Sequence, residues 1–286
     1  MATATTGTTG SPARPGPRRS HPVALLRAAH FPPTVGVTAL VALLAVADRQ
    51  PLGTALLVTA AVLTGQLTIG WGNDLADVQR DRQVGRVDKP LASGQLRAGL
   101  VVWSLAGAAA ACVALSFLAG WRSALVHLFL GVSSGHAYNV VAKGTAGSWL
   151  PYAVAFGSLP AVVTLAGDSP HWPPWWTAAT AAALGIGAHF LNVLPDLEDD
   201  RVTGIRGLPH RLGATRSRGT ATAMLVVGSA AAVLGPAGAP AAWTLATLGL
   251  VIGLGVVALV ARGRLPFYAA IGIALLDVSL LTVVGT

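Results

Sequence analysis

Charge is what this sequence has least of: Asp, Glu, Lys and Arg together make up 10% of its 286 residues, against roughly a quarter in an ordinary soluble domain. So few charged groups cannot cover the surface of one or two water-soluble domains, which argues against a soluble monomer. Cysteine is nearly absent as well. The single one, Cys112, lies inside an apolar run, so no intrachain disulfide can form and the thiol is expected simply to pack. Acid is scarcer than base, 11 residues against 19, and the net charge is +8. That surplus does not describe a nucleic-acid binder, because the bases sit in short gaps between apolar runs and form no continuous basic face. What is abundant is apolar: 53% of the chain is hydrophobic, and the 34 Gly and 18 Pro suit packed membrane helices rather than a disordered polar chain. The excess apolar surface must face lipid.

The first stretch, residues 1–22, is rich in Ala, Thr, Gly and Pro and carries Arg14, Arg18 and Arg19 without an apolar core, so it reads as a disordered basic tail. Nine apolar segments follow, at about 33–47, 51–72, 99–119, 121–142, 148–167, 172–194, 219–237, 240–261 and 266–285. Most approach the roughly 20 residues that cross a hydrocarbon core as helix. The expected architecture is all-α: a single domain, 23–286, of nine transmembrane helices in one bundle. Counting bases by gap sets its orientation. Of the 19 Lys and Arg, 17 fall on the side of the tail and only Arg49 and Arg122 on the other. That asymmetry predicts a multi-pass cell-membrane protein with a cytoplasmic N terminus and an external C terminus.

Two cytoplasmic gaps hold nearly all the acid. One runs from Asn73 through Asp74, Asp77, Asp81, Arg82, Gly85, Arg86, Asp88, Lys89 and Pro90 to Gly94; the other from Asn192 through Pro195, Asp196, Glu198, Asp199, Asp200, Arg201 and Gly204 to Arg206. Shifted by 119 positions they superimpose, Asn73 on Asn192, Asp77 on Asp196, Asp81 on Asp200, Arg82 on Arg201 and Gly85 on Gly204. One mixed-charge gap is the usual look of a hydrated loop; two copies in register are not. On a helix, residues three and four apart share a face. Asn73, Asp74, Asp77 and Asp81 therefore form one oxygen stripe and Asp196, Asp199 and Asp200 another, with Glu198 turned away. Clustered carboxylates repel unless a cation sits among them, and hard oxygens without His or Cys favour Mg²⁺, which completes its shell with water and substrate phosphate. Arg82, Arg86, Lys89, Arg201 and Arg206 lie close enough in sequence to neutralise the same phosphate. Such a cluster at the inner end of an apolar bundle describes a site for a lipid diphosphate.

These motifs resemble those of the UbiA superfamily of intramembrane prenyltransferases. The form Asn73-Asp74-x-x-Asp77-x-x-x-Asp81, the Asp196-x-x-x-Asp200 pair and the Gly85 to Gly94 segment carry the resemblance, which covers almost the whole chain after the tail. It implies nine helices with the acidic motifs after the second and sixth, Mg²⁺ as cofactor, and an isoprenyl diphosphate and a lipophilic or aromatic acceptor as partners within membrane lipid. It implies transfer of the prenyl group to an aromatic or quinone precursor, as in quinone biosynthesis. Carried over, it makes Asp77, Asp81, Asp196 and Asp200 the catalytic acids. Asn73, Asp74, Asp77, Asp81, Asp196, Asp199 and Asp200 become metal ligands. Asn73, Arg86, Lys89, Tyr138, Lys143, Asn192, Arg201 and Arg206 become substrate-binding residues. The pattern departs from the family at Val193, where many members carry Asp, and at Pro195, which favours a break or a new first turn before Asp196. That departure keeps a second reading open, a terpene cyclase of the same superfamily acting on an isoprenyl diphosphate without acceptor. A noncatalytic lipid-diphosphate binder is a third.

Several single residues stand apart. Asp277, in the last span, is expensive in lipid and is either functional or structurally paired. His127, His136 and His189 are expected to hydrogen-bond between helices, with His136 or His189 as an acceptor-site base the alternative. Trp172, Trp175 and Trp176 read as an interfacial anchor on the external side. His30, at the entrance of the first span, is left open.

Overall fold

The computed structural model describes residues 21–262 and 265–284, and among them every regular element is helical. The order is α1 (His21–Ala28), α2 (Phe31–Ala47), α3 (Leu52–Gln83), α4 (Ala98–Ala119) and α5 (Trp121–Val126), then α6 (Ser133–Ala137) between two π-helical turns. After these come α7 (Leu150–Thr164), α8 (Trp175–Val193), α9 (Leu197–Val202), α10 (Leu208–Leu234), α11 (Ala242–Val260) and α12 (Leu265–Val284). Residues 1–20 of the expected tail lie outside the described residues. His21 and Pro22, given to the tail above, already open α1.

Each apolar run coincides with helical structure, but among the described residues five helices are long and apolar enough to cross a membrane, or six if α1 and α2, bent by 70°, count as one span. The shortfall has local causes. α7, at 15 residues, is too short for that length criterion, and the column from Trp121 to Ala142 is interrupted by the π turns His127–Val132 and Tyr138–Ala142. Such turns are uncommon and cluster at functional positions.

Buried Val37, Val41, Val58, Val62, Val162, Leu184, Leu225 and Ile273 knit α2, α3, α7, α8, α10 and α12 into the central core. In lipid such packing, rather than a hydrophobic drive between helices, holds a bundle together. A second cluster seats α1 against α3 and the 91–101 segment through Ala24, Ala28, Trp71, Leu91 and Val101, and Trp71 Nε1 donates to the Leu25 carbonyl at 2.9 Å. The seat requires Gly70, where an added Cβ would lie 2.3 Å from the Ala29 carbonyl oxygen. Trp172 and Trp175 are exposed as an interfacial anchor requires, but Trp176 is not: it is buried against Ala232, Val233 and Leu280. Asp277 is fully buried and is bonded by Ser229, the structural alternative. The three histidines bond across the bundle, His127 with Ser116 at 2.8 Å, His136 with Thr68 at 3.3 Å and His189 with Ser148 at 3.0 Å.

The internal repeat is present in the backbone. Arg86 N bonds the Asp81 carbonyl at 2.9 Å as Ile205 N bonds that of Asp200 at 2.8 Å, and Gly85 and Gly204 both take left-handed φ, 69° and 81°. The correspondence runs further than the acidic residues. Pro90 matches Pro209 at the same shift, and Gly94 and Gly213 share φ values of 76° and 77°. The two copies differ upstream. α3 passes unbroken through its motif to Gln83, whereas α8 stops at Val193 and a 3₁₀ turn, Leu194–Asp196, carries Pro195 before α9 begins. Pro195 has no N–H to continue the ladder.

Candidate active site

Both repeats open onto one cavity of about 320 Å³. From α3, the face bearing Asn73, Asp77 and Asp81 lines it; from the second repeat, Asn192, Asp196, Asp199 and Asp200 do. Arg86, Lys89, Tyr138 and Lys143 line it too. The second π turn sets the last two: Lys143 N closes on the Tyr138 carbonyl at 3.0 Å, turning both side chains inward. Asp74 lies one helical step off the Asn73 face, buried to 1% exposure, and meets the cavity only through Lys89, 3.4 Å away. Arg201 and Arg206 are exposed and do not line the cavity, and Arg82 points instead to the Leu91 carbonyl.

The carboxylates are separated by the chain's own cations. Asp77 lies between Lys143 and Arg80, the latter at 2.5 Å. Arg86 bridges the repeats, its Nη1 3.0 Å from Asp196 and 3.7 Å from Asp199, while Nε and Nη2 form a two-pronged pair with Asp88 at 2.9 Å each. Those hydrogen bonds hold the Asp88 carboxyl below the usual carboxylate range and raise the guanidinium. Among the described residues no three carboxylates, imidazoles or thiols converge tightly enough to hold a metal by themselves. An ion here would need phosphate or water to complete its shell. Asp81 keeps a buried oxygen that no hydrogen bond reaches, and all the acids on the wall offer hard oxygen, so the donor set fits Mg²⁺.

The lining also includes apolar and aromatic side chains. Tyr138 and Tyr152 meet edge to face with centroids 5.0 Å apart, and Phe156 stacks on Tyr152 at 6.3 Å. Buried His189 lies 4.9 Å behind Tyr152.

A model of the UbiA prenyltransferase family matches residues 34–281. The chain belongs to that family. Its fold is similar to that of an apo UbiA homologue from Aeropyrum pernix K1, with TM-score 0.66 and 19% identity over 93% of this chain and 97% of that one. A UbiA homologue from Archaeoglobus fulgidus solved with GPP and Mg²⁺ gives TM-score 0.66 and 16% identity over 91% and 99%. A digeranylgeranylglyceryl phosphate synthase gives 0.63 and 16% over 92% and 97%. No curated protein matches the sequence significantly.

This UbiA-family cavity also contains residues the motifs did not reveal. Gln66, seven positions before Asn73, and the pair Tyr152 and Phe156, four apart on α7, line it; helical spacing was the available signal for each. Asn139 lines it and accepts from Asn73 Nδ2 at 3.1 Å. His30 reaches it from the α1–α2 bend, at a left-handed φ of 53°, with Nε2 3.0 Å from Lys89 Nζ. The aromatic wall is Tyr and Phe; no Trp lines it among the described residues.

Proposed function

We propose that the protein moves a prenyl group from an isoprenyl diphosphate, held with Mg²⁺ between the two acidic repeats, to an aromatic or quinone-precursor acceptor within the membrane. The observation that carries this is the mixed lining of the cavity, which brings acids and bases from both repeats together with Tyr138, Tyr152 and Phe156. The Archaeoglobus homologue bound to GPP and Mg²⁺ supports the same pairing of ligands. In this reading Asp77 and Asp81, with Asn73 beside them, hold one side of the metal-diphosphate group, and Asp196, Asp199 and Asp200 the other. Asp74 acts through Lys89.

Bound Mg²⁺ supplies charge neutralisation as the diphosphate leaves. Arg86, Lys89 and Lys143 donate to its oxygens, which gain charge as the C1–O bond breaks and the electron pair departs with the leaving group. The aromatic wall faces the allylic cation with π surfaces and excludes water. A ring carbon of the acceptor forms the new C–C bond, and the proton on that carbon leaves with the diphosphate.

The same reading makes 23–286 one membrane domain of nine spans, counting the π-broken column, α7 and α12 with the longer helices. It places the N terminus and both repeats in the cytoplasm and the C terminus outside. The test is product analysis of purified protein with prenyl diphosphates of several lengths and Mg²⁺, with and without aromatic acceptors. Transfer requires an acceptor to accelerate diphosphate release and yields a product with the mass of both partners less diphosphoric acid. A cyclic terpene formed efficiently without acceptor overturns transfer in favour of cyclisation.

A further inference from the structure

The two repeats are alike in backbone but unlike at one buried position. At the shift that aligns them, Leu91 of the first repeat corresponds to His210 of the second. Leu91 is packed in the α1–α3 cluster. His210 stands in the first turn of α10, its side chain only 4% exposed, with Nε2 3.0 Å from Asp200 Oδ2. Asp200 lines the cavity and His210 does not. The corresponding acid of the first repeat, Asp81, has no such partner and keeps a buried oxygen without a hydrogen bond.

The turn that carries His210 is pinned from several sides. Leu208 N–H donates to Ser148 Oγ at 3.1 Å, and that fully buried hydroxyl also meets His189 Nε2 at 3.0 Å. Ser217 Oγ closes on the Pro209 carbonyl at 3.0 Å. Gly207 lies against the segment that follows Tyr138, where an added Cβ would be 2.6 Å from the Lys143 carbonyl oxygen. The imidazole is therefore fixed to the same backbone that delivers Lys143 to Asp77.

From this asymmetry we infer that His210 is a positioning residue of the second acidic repeat: its Nε2–H holds one oxygen of Asp200, so that only the other faces the metal and diphosphate. A carboxylate oxygen only accepts, so the ring nitrogen is the donor. The first repeat thus offers an acid with no imidazole partner, and the second an acid oriented to bind through one oxygen. Partners one step removed from a metal commonly matter about 10- to 100-fold for its affinity. This assignment rests on the metal-diphosphate reading above.

The experiment titrates the purified full-length protein with Mn²⁺, as a paramagnetic stand-in for Mg²⁺, in the presence of an unreactive thiolo analogue of geranyl diphosphate. Free Mn²⁺ is followed by electron paramagnetic resonance in wild type, His210→Leu, His210→Gln and His210→Asn. Leu keeps apolar volume without a donor; Gln places an amide N–H near the position of Nε2, and Asn falls short. The expected result is affinity about 10- to 100-fold weaker in His210→Leu and His210→Asn, and near wild type in His210→Gln. Wild-type affinity in His210→Leu, or equal losses in the Gln and Asn variants, overturns the role of His210 alone. If His210→Leu does not fold, the Gln and Asn pair decides. A wild-type protein that binds no Mn²⁺ overturns the metal reading, and this assignment with it.

Discussion

Several acids at the cavity are met by bases brought from elsewhere in the chain, whereas Asp81 has none among the described residues. Asp77 has Lys143 from beyond the second π turn, and Asp196 has Arg86 from the other repeat. Such pairs keep like charges together until a more highly charged partner competes for them. Asp77→Ala or Asp81→Ala is expected to lower diphosphate release by at least about 100-fold, with membrane insertion and helix content by circular dichroism unchanged. Full activity in Asp77→Ala, or activity surviving EDTA, contradicts the metal assignment. Asp88 acts at one remove. Its two-pronged pair with Arg86 leaves Nη1 aimed at Asp196, and such pairs fix direction as well as charge. Asp88→Ala should raise KM for the prenyl diphosphate about tenfold and change kcat less. A proportionate fall in kcat at constant KM would show that Arg86 needs no such aim in the ground state.

At the scale of elements, the repeat makes its own prediction. Gly85 and Gly204 end corresponding helical segments with φ near 69° and 81°, and nothing lies within 4 Å of an added Cβ at either. The cost of Gly→Ala there is backbone strain alone, about 1–2 kcal/mol at each site. Gly85→Ala and Gly204→Ala should therefore lower the thermal midpoint by similar amounts, read by differential scanning fluorimetry in detergent. A large difference between them would mean the two turns are not equivalent. Gly70→Ala fails for another reason, because its methyl group meets the Ala29 carbonyl and must push the α1–α2 bend, with His30, away from the cavity. That variant should lose activity along with stability.

For the whole molecule the testable quantity is sidedness. Ser93, Ser169 and Thr215 are all exposed, the first and last beside the acidic repeats and Ser169 in the turn between α7 and α8. In a Cys112→Ala background, a membrane-impermeant thiol reagent added to intact cells should label Cys introduced at Ser169. It should leave Cys at Ser93 or Thr215 untouched until the cells are opened. Labelling at Ser93 from outside would reverse the topology and put the cavity mouth out of reach of cytosolic diphosphates. Cys112 itself is buried, so its removal should change little beyond background.

Composition and period were enough for the helical class, because 53% apolar residues in runs of membrane length have few other stable forms in lipid. They were also enough for the cavity face of α3, since Asn73, Asp77 and Asp81 recur every four residues along an unbroken helix. The same rule says nothing of Asp74's burial beside Lys89, which depends on how the 84–97 segment folds back. It also could not separate Trp176 from Trp172 and Trp175, because which aromatic of a cluster turns inward depends on the neighbouring helix. What only the tertiary structure decided is long-range: Arg86 reaching Asp196, Tyr152 and Phe156 closing the aromatic wall, and His210 held against Asp200. Helical periodicity shows which residues of one helix share a face, but which helix that face meets depends on packing among all of them.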